Sequence, residues 1–235
     1  MNTSINHFMV IAAAIGLATG SVFAVPTLWL VDSSGGSVQI ADGSAADTQP
    51  LAGVVGWSGV VGNWSVNVST GQTFPSLGTA AGPWMDFHTA VTSAAAGWNG
   101  IEIWFSAGDF TSTNSGDVSA SFGGTTYGLT NYEAGWDASN RLFSGATSLG
   151  FDYNYQFPQS LFDYQNISGT RSAYFASNVP YSLTLMVDIG HFGAGTSSAD
   201  FTLTVPDGGI TALLLGFGLL GLRIMARRRI GFAKA

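Results

Sequence analysis

Apolar and polar residues alternate along Tyr181-Ser182-Leu183-Thr184-Leu185-Met186-Val187-Asp188-Ile189. Only an extended strand puts every second side chain of such a run on one face. Trp64-Ser65-Val66-Asn67-Val68, Ile101-Glu102-Ile103-Trp104-Phe105 and Phe201-Thr202-Leu203-Thr204-Val205 repeat the pattern. Thr27 to Asp32, Ser37 to Ala41, Val54 to Val61, Asp117 to Phe122, Thr125 to Leu129 and Phe151 to Phe157 are further strand candidates. Breaks rich in Gly, Ser and Asn separate them, and Ser33-Ser34-Gly35-Gly36 reads as a hairpin turn. The segment from Phe87 to Gly97 is too short and too rich in Thr and Gly for a convincing amphipathic helix. About ten short strands without a fixed-period repeat predict an all-β fold, a two-sheet antiparallel β-sandwich of jelly-roll-like type, over a propeller or β-helix. In the strand from Tyr181 to Ile189 the expected register turns Leu183, Leu185 and Val187 inward and Ser182, Thr184 and Asp188 outward.

Residues 25–204 form the expected sandwich domain, long enough for one substantial core. Aromatic residues make up 13% of the chain, with seven tryptophans, too much apolar surface for a disordered stalk. Charged residues are only 9%, so Ser, Thr, Asn and Gly must solvate the surface. Five of the seven basic residues lie beyond residue 204, leaving Arg141 and Arg171 against thirteen carboxylates, a net charge of −11 for residues 25–204. Nucleic acid is excluded as a partner, because phosphate binding needs clustered Lys and Arg. Acidic lipid or polysaccharide is repelled unless a divalent cation bridges it. With no cysteine in the chain, stability rests on the core and not on disulfides.

The search for catalytic chemistry yields absences. There is no Gly-x-Ser-x-Gly elbow, and the domain has two isolated histidines, His88 and His191. A Ser-His-Asp triad or a zinc site would have to be assembled from scattered residues. A glycosidase needs two carboxyl groups about 5 to 9 Å apart, and Glu102 and Glu133 are the domain's two glutamates, Glu102 on the polar side of a strand. The expectation is a non-enzyme with no catalytic cofactor.

Two binding chemistries remain as candidates. The stretches Asp109 to Asp117, which includes Asn114, and Asn131 to Asp137, which includes Glu133, offer loop carboxylates and amides, the hard ligands that a structural Ca²⁺ prefers, though neither has EF-hand spacing. Phe151, Tyr153, Tyr155 and Phe157 share one strand face, and Trp57, Trp84, Trp98 and Trp136 sit beside glycine-rich breaks. Exposed rings could stack on sugar, although a period-two aromatic stripe more often fills a sandwich core. The Asn-x-Ser sequons at Asn63, Asn67 and Asn166 are matched by chance in Asn- and Ser-rich sequence.

The ends of the chain read as addresses. His7 to Ala24 has the apolar run and small-residue ending of a secretory signal peptide, with Val22 and Ala24 at the minus-three and minus-one positions, so residues 1–24 are expected to be cleaved. The preceding residues carry no Lys or Arg, and the alternative is an uncleaved N-terminal anchor. Residues 205–235 begin with Val205-Pro206-Asp207-Gly208-Gly209 and continue into the uncharged run Ile210 to Leu222. As a helix this run covers roughly 20 Å of a hydrocarbon core about 30 Å thick. A snorkelling Arg223 would extend it through Ile224, Met225 and Ala226. Arg227, Arg228, Arg229 and Lys234 follow. By the positive-inside rule the cluster stays cytoplasmic, and everything before Val205 lies outside the inner membrane.

Motif, single transmembrane helix and basic cluster in that order resemble the PEP-CTERM class of bacterial sorting tails, most closely its VPDSG-type variant, with Gly208 where that variant has Ser. The resemblance covers positions 205 to about 229 alone. It implies an exosortase-type sorting enzyme as partner, export by a Gram-negative bacterium that makes exopolysaccharide, and delivery to the envelope or extracellular matrix with removal of the tail. The resulting expectation is an exported structural or interaction protein, with exopolysaccharide as a candidate partner. The alternatives are a carbohydrate-binding module and, third, a hydrolase of unknown substrate.

Overall fold

The structure, a computed structural model, describes residues 25–205 apart from 112, 145–146, 150–152, 156–163 and 178. The expected signal cleavage residues Val22 and Ala24, residues Pro206 to Gly209 of the expected sorting motif, the apolar run and Arg227 to Arg229 therefore lie outside the described residues. No α-helix occurs among those described. Thirteen strands do: β1 Thr27–Asp32, β2 Ser37–Ala41, β3 Val54–Val61, β4 Trp64–Gln72, β5 Trp84–Ser93, β6 Asn99–Phe110, β7 Thr113–Tyr127, β8 Leu129–Asp137, β9 Thr147–Ser148, β10 Tyr153–Tyr155, β11 Tyr164–Ser177, β12 Tyr181–His191 and β13 Gly195–Thr204.

They form two antiparallel sheets. The first has the order β10-β8-β12-β6-β1-β2, with β9 pairing β8, and the second β11-β7-β13-β5-β4-β3. The inward-facing residues close a single core between the sheets. Leu28, Leu30, Ile101, Ile103, Phe105, Leu183, Leu185, Val187 and Ile189 enter it from the first sheet, and Met85, Phe87, Val91, Phe201 and Leu203 from the second. Phe87 and Phe105 stack at 6.3 Å between centroids, and Tyr132 meets Phe122 at 4.9 Å and Phe201 at 5.4 Å.

The inward register expected for β12 holds, since Leu183, Leu185 and Val187 are fully buried. Its opposite parity is less open to water than the alternation suggests. Ser182 and Thr184 are also buried, covered by the 138–144 segment, where Ser182 Oγ donates to Arg141 O at 2.7 Å.

The β1–β2 hairpin turns at 33–36 as expected, with Gly35 at φ 98°. Phe87 to Gly97, read as too short and too rich in Thr and Gly for a helix, contributes to β5, whose odd-numbered residues point into the core. Other segments differ from their sequence reading. Asn131 to Asp137 is no loop but most of β8, where Tyr132 and Ala134 fill the core and Asn131 and Glu133 face outward. Of Phe151 to Phe157 only the three residues of β10 are described as strand. The long edge strand β11 was not anticipated.

The sandwich has two distinct ends. At one, Asn99 and Ser93 meet, Trp64 Nε1 donates to Gly100 O at 3.1 Å, and Ser33 N donates to Gly100 O at 3.0 Å. At the other, Thr111 N donates to Ala80 O, and Val205 N donates to Pro83 O, both at 2.9 Å. Val205, the first residue of the Val-Pro-Asp-Gly-Gly stretch, is 2% exposed and belongs to the core. Thr27 pairs with Ser106 and Thr204 with Trp84, so the described chain enters and leaves at this second end.

Candidate functional site

The outer face of the first sheet carries large side chains that the core does not need. Alternation places Trp29 and Val31 of β1, Glu102 and Trp104 of β6, Met186 and Asp188 of β12, and Asn131 and Glu133 of β8 on it. Strand pairing then turns residues remote in sequence into neighbours. Glu102 lies between Val31 and Asp188, and Asp188 lies between Glu102 and Asn131.

A cleft of about 230 Å³ opens at one end of this face, lined by Val31, Asp32, Ser33, Trp98, Gly100, Glu102 and Asp188. Gly100 and Gly190 are cross-strand partners, and Trp98 lies against them. A Cβ at Gly190 would stand 2.2 Å from its ring, so glycine is what lets the indole approach the sheet. Phe192 supports Trp98, with centroids 4.8 Å apart, yet the indole remains 55% exposed. Its backbone root is fixed from below. With the Asn99 carboxamide nitrogen toward Asp32 Oδ1 (3.3 Å), its oxygen accepts from Ser93 Oγ (2.7 Å) and Trp64 Nε1 (3.0 Å). Buried polar groups must be paired, and this network satisfies Asn99 directly beneath the exposed Trp98.

Two carboxylates face the cleft as direct cross-strand neighbours, a like-charge pairing that destabilises a sheet. Glu102 Oε2 accepts a hydrogen bond from Trp104 Nε1 at 3.2 Å, and Asp188 Oδ2 accepts one from Asn131 Nδ2 at 3.1 Å. Asp188 is held above the usual carboxylate range. Burial is the main cause and Glu102 adds to it, while the Asn131 hydrogen bond opposes it.

Beyond the cleft the face becomes aromatic. Trp29 and Trp104 are 6.2 Å apart between centroids, and Phe143 meets Trp29 edge-on at 5.5 Å. Phe143 adopts φ 56°, an outlier for a bulky residue and a conformation that the surroundings must enforce. Its amide donates to Ser106 Oγ at 3.2 Å. Nearby, Asn140 and Asp109, both at φ 58°, hold each other through Asp109 N to Asn140 Oδ1 (2.8 Å) and Asn140 Nδ2 to Asp109 Oδ1 (2.6 Å). Arg141 Nε donates to Asp137 at 2.7 Å, and hydrogen bonds from Ser144, the Ser139 amide and Arg141 pull the Asp137 carboxyl down to about 2.

The residues singled out from sequence scatter. Trp98 and Glu102 meet in the cleft, and Trp84 is exposed at the start of β5 in the second sheet. Trp57 and Trp136 pack against the core. Glu133 lies across β12 from Trp104, one row away from Glu102, so the pair of acids is Glu102 with Asp188. His88 is on the outer face of the second sheet, its Nδ1 2.5 Å from Asp200 Oδ1 with both side chains about half exposed. His191 is buried against Trp64 at 4.6 Å, with Nε2 2.8 Å from Ser197 Oγ. Burial lowers its pKa to about 4, so it is a neutral core residue. Of the two oxygen-rich stretches, Asp109 is committed to Asn140 and Asp137 to the 139–144 segment. Among the described residues no group of three or more His, Cys, Asp or Glu side chains could hold a metal ion. Asp188, Trp29 and Trp104 were not singled out. The one available signal was parity, since Asp188 and Trp104 fall on the outward side of their strands.

No protein-family model matches the chain, and no curated protein matches it. One matching solved structure is described by the words "Structural basis for the promiscuous specificity of the carbohydrate-binding modules from the beta-sandwich super family". The match covers 76% of this chain and 72% of that one at 9% identity and a TM-score of 0.29. A likeness at that TM-score carries no argument, and the sandwich rests on its own strand register.

Proposed function

We propose that this chain is an exported, non-catalytic β-sandwich that binds carbohydrate through the outer face of its first sheet. The observation that carries this reading is the exposed Trp98 indole standing over a cleft whose next row is Glu102 and Asp188, with Trp104 and Trp29 continuing along the same face. An indole offers a flat apolar surface to the C–H face of a pyranose. Carboxylates and amides beside it accept and donate to the hydroxyls, and bonds to a charged acceptor are the stronger kind. Rows 100 and 104 of β6 are about 13 Å apart at roughly 3.3 Å per residue, which suits a short oligosaccharide better than a single ring. The strand order, which repeatedly crosses between the sheets, supports the jelly-roll-like subtype.

The tail reading belongs to the same proposal. Motif, apolar run and arginine cluster support sorting by an exosortase-type enzyme to the envelope or matrix, where exopolysaccharide is the available ligand. Affinity electrophoresis of the detergent-solubilised full chain through gels containing neutral, amino-sugar or uronic polysaccharides tests the binding. Retardation by at least one polymer is expected, with loss in the Trp98→Ala/Trp104→Ala double variant. Unretarded migration through every gel would remove the proposal.

A further inference from the structure

The acidic character of the cleft narrows the class of sugar, on the premise that the face binds carbohydrate at all. Each carboxylate spends one oxygen on the protein, Glu102 Oε2 on Trp104 and Asp188 Oδ2 on Asn131. The other oxygen of each has no hydrogen-bond partner among the described residues. Among the described residues no positive side chain answers them. The single Lys of the sequence is Lys234, and residues 25–205 hold two arginines. Of these, Arg141 is bound to Asp137 beside the aromatic part of the face, and Arg171 is on β11 at the far edge of the other sheet. Two negative groups forced together across β6 and β12 raise the energy of the empty cleft. A ligand carrying a positive charge relieves that repulsion, a neutral sugar leaves it, and a uronic acid increases it.

We propose that the Trp98 cleft takes an amino sugar with a free ammonium group, as found in a de-N-acetylated hexosamine polymer, with the ammonium between Glu102 and Asp188 and the ring against Trp98. The indole contributes twice, stacking on the apolar face of the ring and attracting a nearby cation through its π-system. An N-acetyl group in the same position would replace the charge by a neutral amide and bring a methyl group against two carboxylates. The acidity of the whole domain draws a polycation toward the surface and repels acidic polymers.

Isothermal titration of the full chain against four oligosaccharides of equal length separates the alternatives: β-1,4-linked glucosamine, its fully N-acetylated form, a neutral β-1,4-glucan and an oligogalacturonate, in slightly acidic, low-salt buffer. The glucosamine oligomer should bind at least tenfold tighter than the acetylated one, with the advantage shrinking as salt is added. Glu102→Gln and Asp188→Asn should each bring it close to the acetylated value, and Trp98→Ala should weaken both oligomers alike. Thermal melts of the three variants show whether they keep the fold. Equal binding of the free and acetylated oligomers, unchanged in the two carboxylate variants, would overturn the amino-sugar assignment and leave carbohydrate binding intact. Preference for galacturonate would also overturn it. So would a melting shift on adding CaCl₂ alone that Glu102→Gln abolishes, because the pair would then be a metal site. If none of the four binds, the carbohydrate reading falls and this assignment falls with it.

Discussion

Leu185 and Thr184 leave β12 on opposite faces, and both are buried. Leu185 is in the inter-sheet core, so Leu185→Ala should cost about 2 to 5 kcal/mol through lost contacts and a cavity. Thr184 is covered by the 138–144 segment, and its hydroxyl is 2.9 Å from Ser106 Oγ. Thr184→Ala should therefore cost about 1 kcal/mol, the value of a buried hydrogen bond, where alternation alone predicts almost nothing. Urea denaturation of the two variants measures both. A Thr184→Ala loss as large as that of Leu185→Ala would mean that the covered face is packed as tightly as the core. The parity of these residues was legible in the sequence, but the cover was not, because it comes from a segment some 40 positions away.

At the level of elements, β1, β2 and β3 have the limits read from the sequence, since Gly, Ser and Asn punctuate them and their apolar content is high. β8 was misread because Asn131, Glu133 and Asp137 share one parity, and a strand with an oxygen-rich outer face resembles a metal-binding loop when its pairing is unknown. β11 was not visible because Asn166-Ile167-Ser168-Gly169-Thr170-Arg171-Ser172 has little apolar alternation. An edge strand covered on one side has less need of it. The cleft was half legible. Trp98 and Glu102 drew attention as residue types, while their meeting with Asp188, 86 positions after Glu102, depends on the β6–β12 register. The 138–144 segment is also a tertiary feature, with Asn140 as its fastening. Asn140→Ala removes both bonds to Asp109 and puts a poorer residue at φ 58°. It should destabilise by about 1 to 3 kcal/mol and hasten proteolysis within 138–144, measured as the rate of limited digestion. Unchanged digestion would mean that Phe143 on Trp29 suffices to hold the segment.

For the molecule as a whole, burial of His191 makes stability depend on pH. Its folded pKa of about 4 lies below its ordinary value of 6.5, so the unfolded chain takes up a proton first on acidification. The contribution is complete above about pH 6.5 and is lost as pH falls toward 4, amounting to about 3 kcal/mol at most. Asp188 acts in the opposite sense. Its raised pKa favours the folded state at low pH, an advantage lost as pH rises above the ordinary carboxylate value. Asp137, held near 2, contributes above the ordinary carboxylate value and loses that contribution only as pH falls toward 2. The melting temperature should therefore drop between pH 6.5 and 4, and His191→Gln should flatten that segment of the curve. An unchanged slope in the variant would show that another group sets it.

The placement of the two sandwich ends has a consequence for where binding occurs. The described chain enters and leaves beside Thr27 and Thr204, whereas the Trp98 cleft is at the opposite end, beyond the ten residues of β13 that run from Ser93 to Trp84 along β5. At roughly 3.3 Å per residue that separation is about 30 Å. If the domain is attached through its C-terminal end, as proposed, the Trp98 cleft lies on the side remote from the attachment point, while the Trp29 and Trp104 part of the face lies nearer to it. Polymer bound at the proposed cleft and such a tether would then engage opposite ends of the sandwich, and a population of such molecules would act as spacers between a surface and the polymer mesh above it.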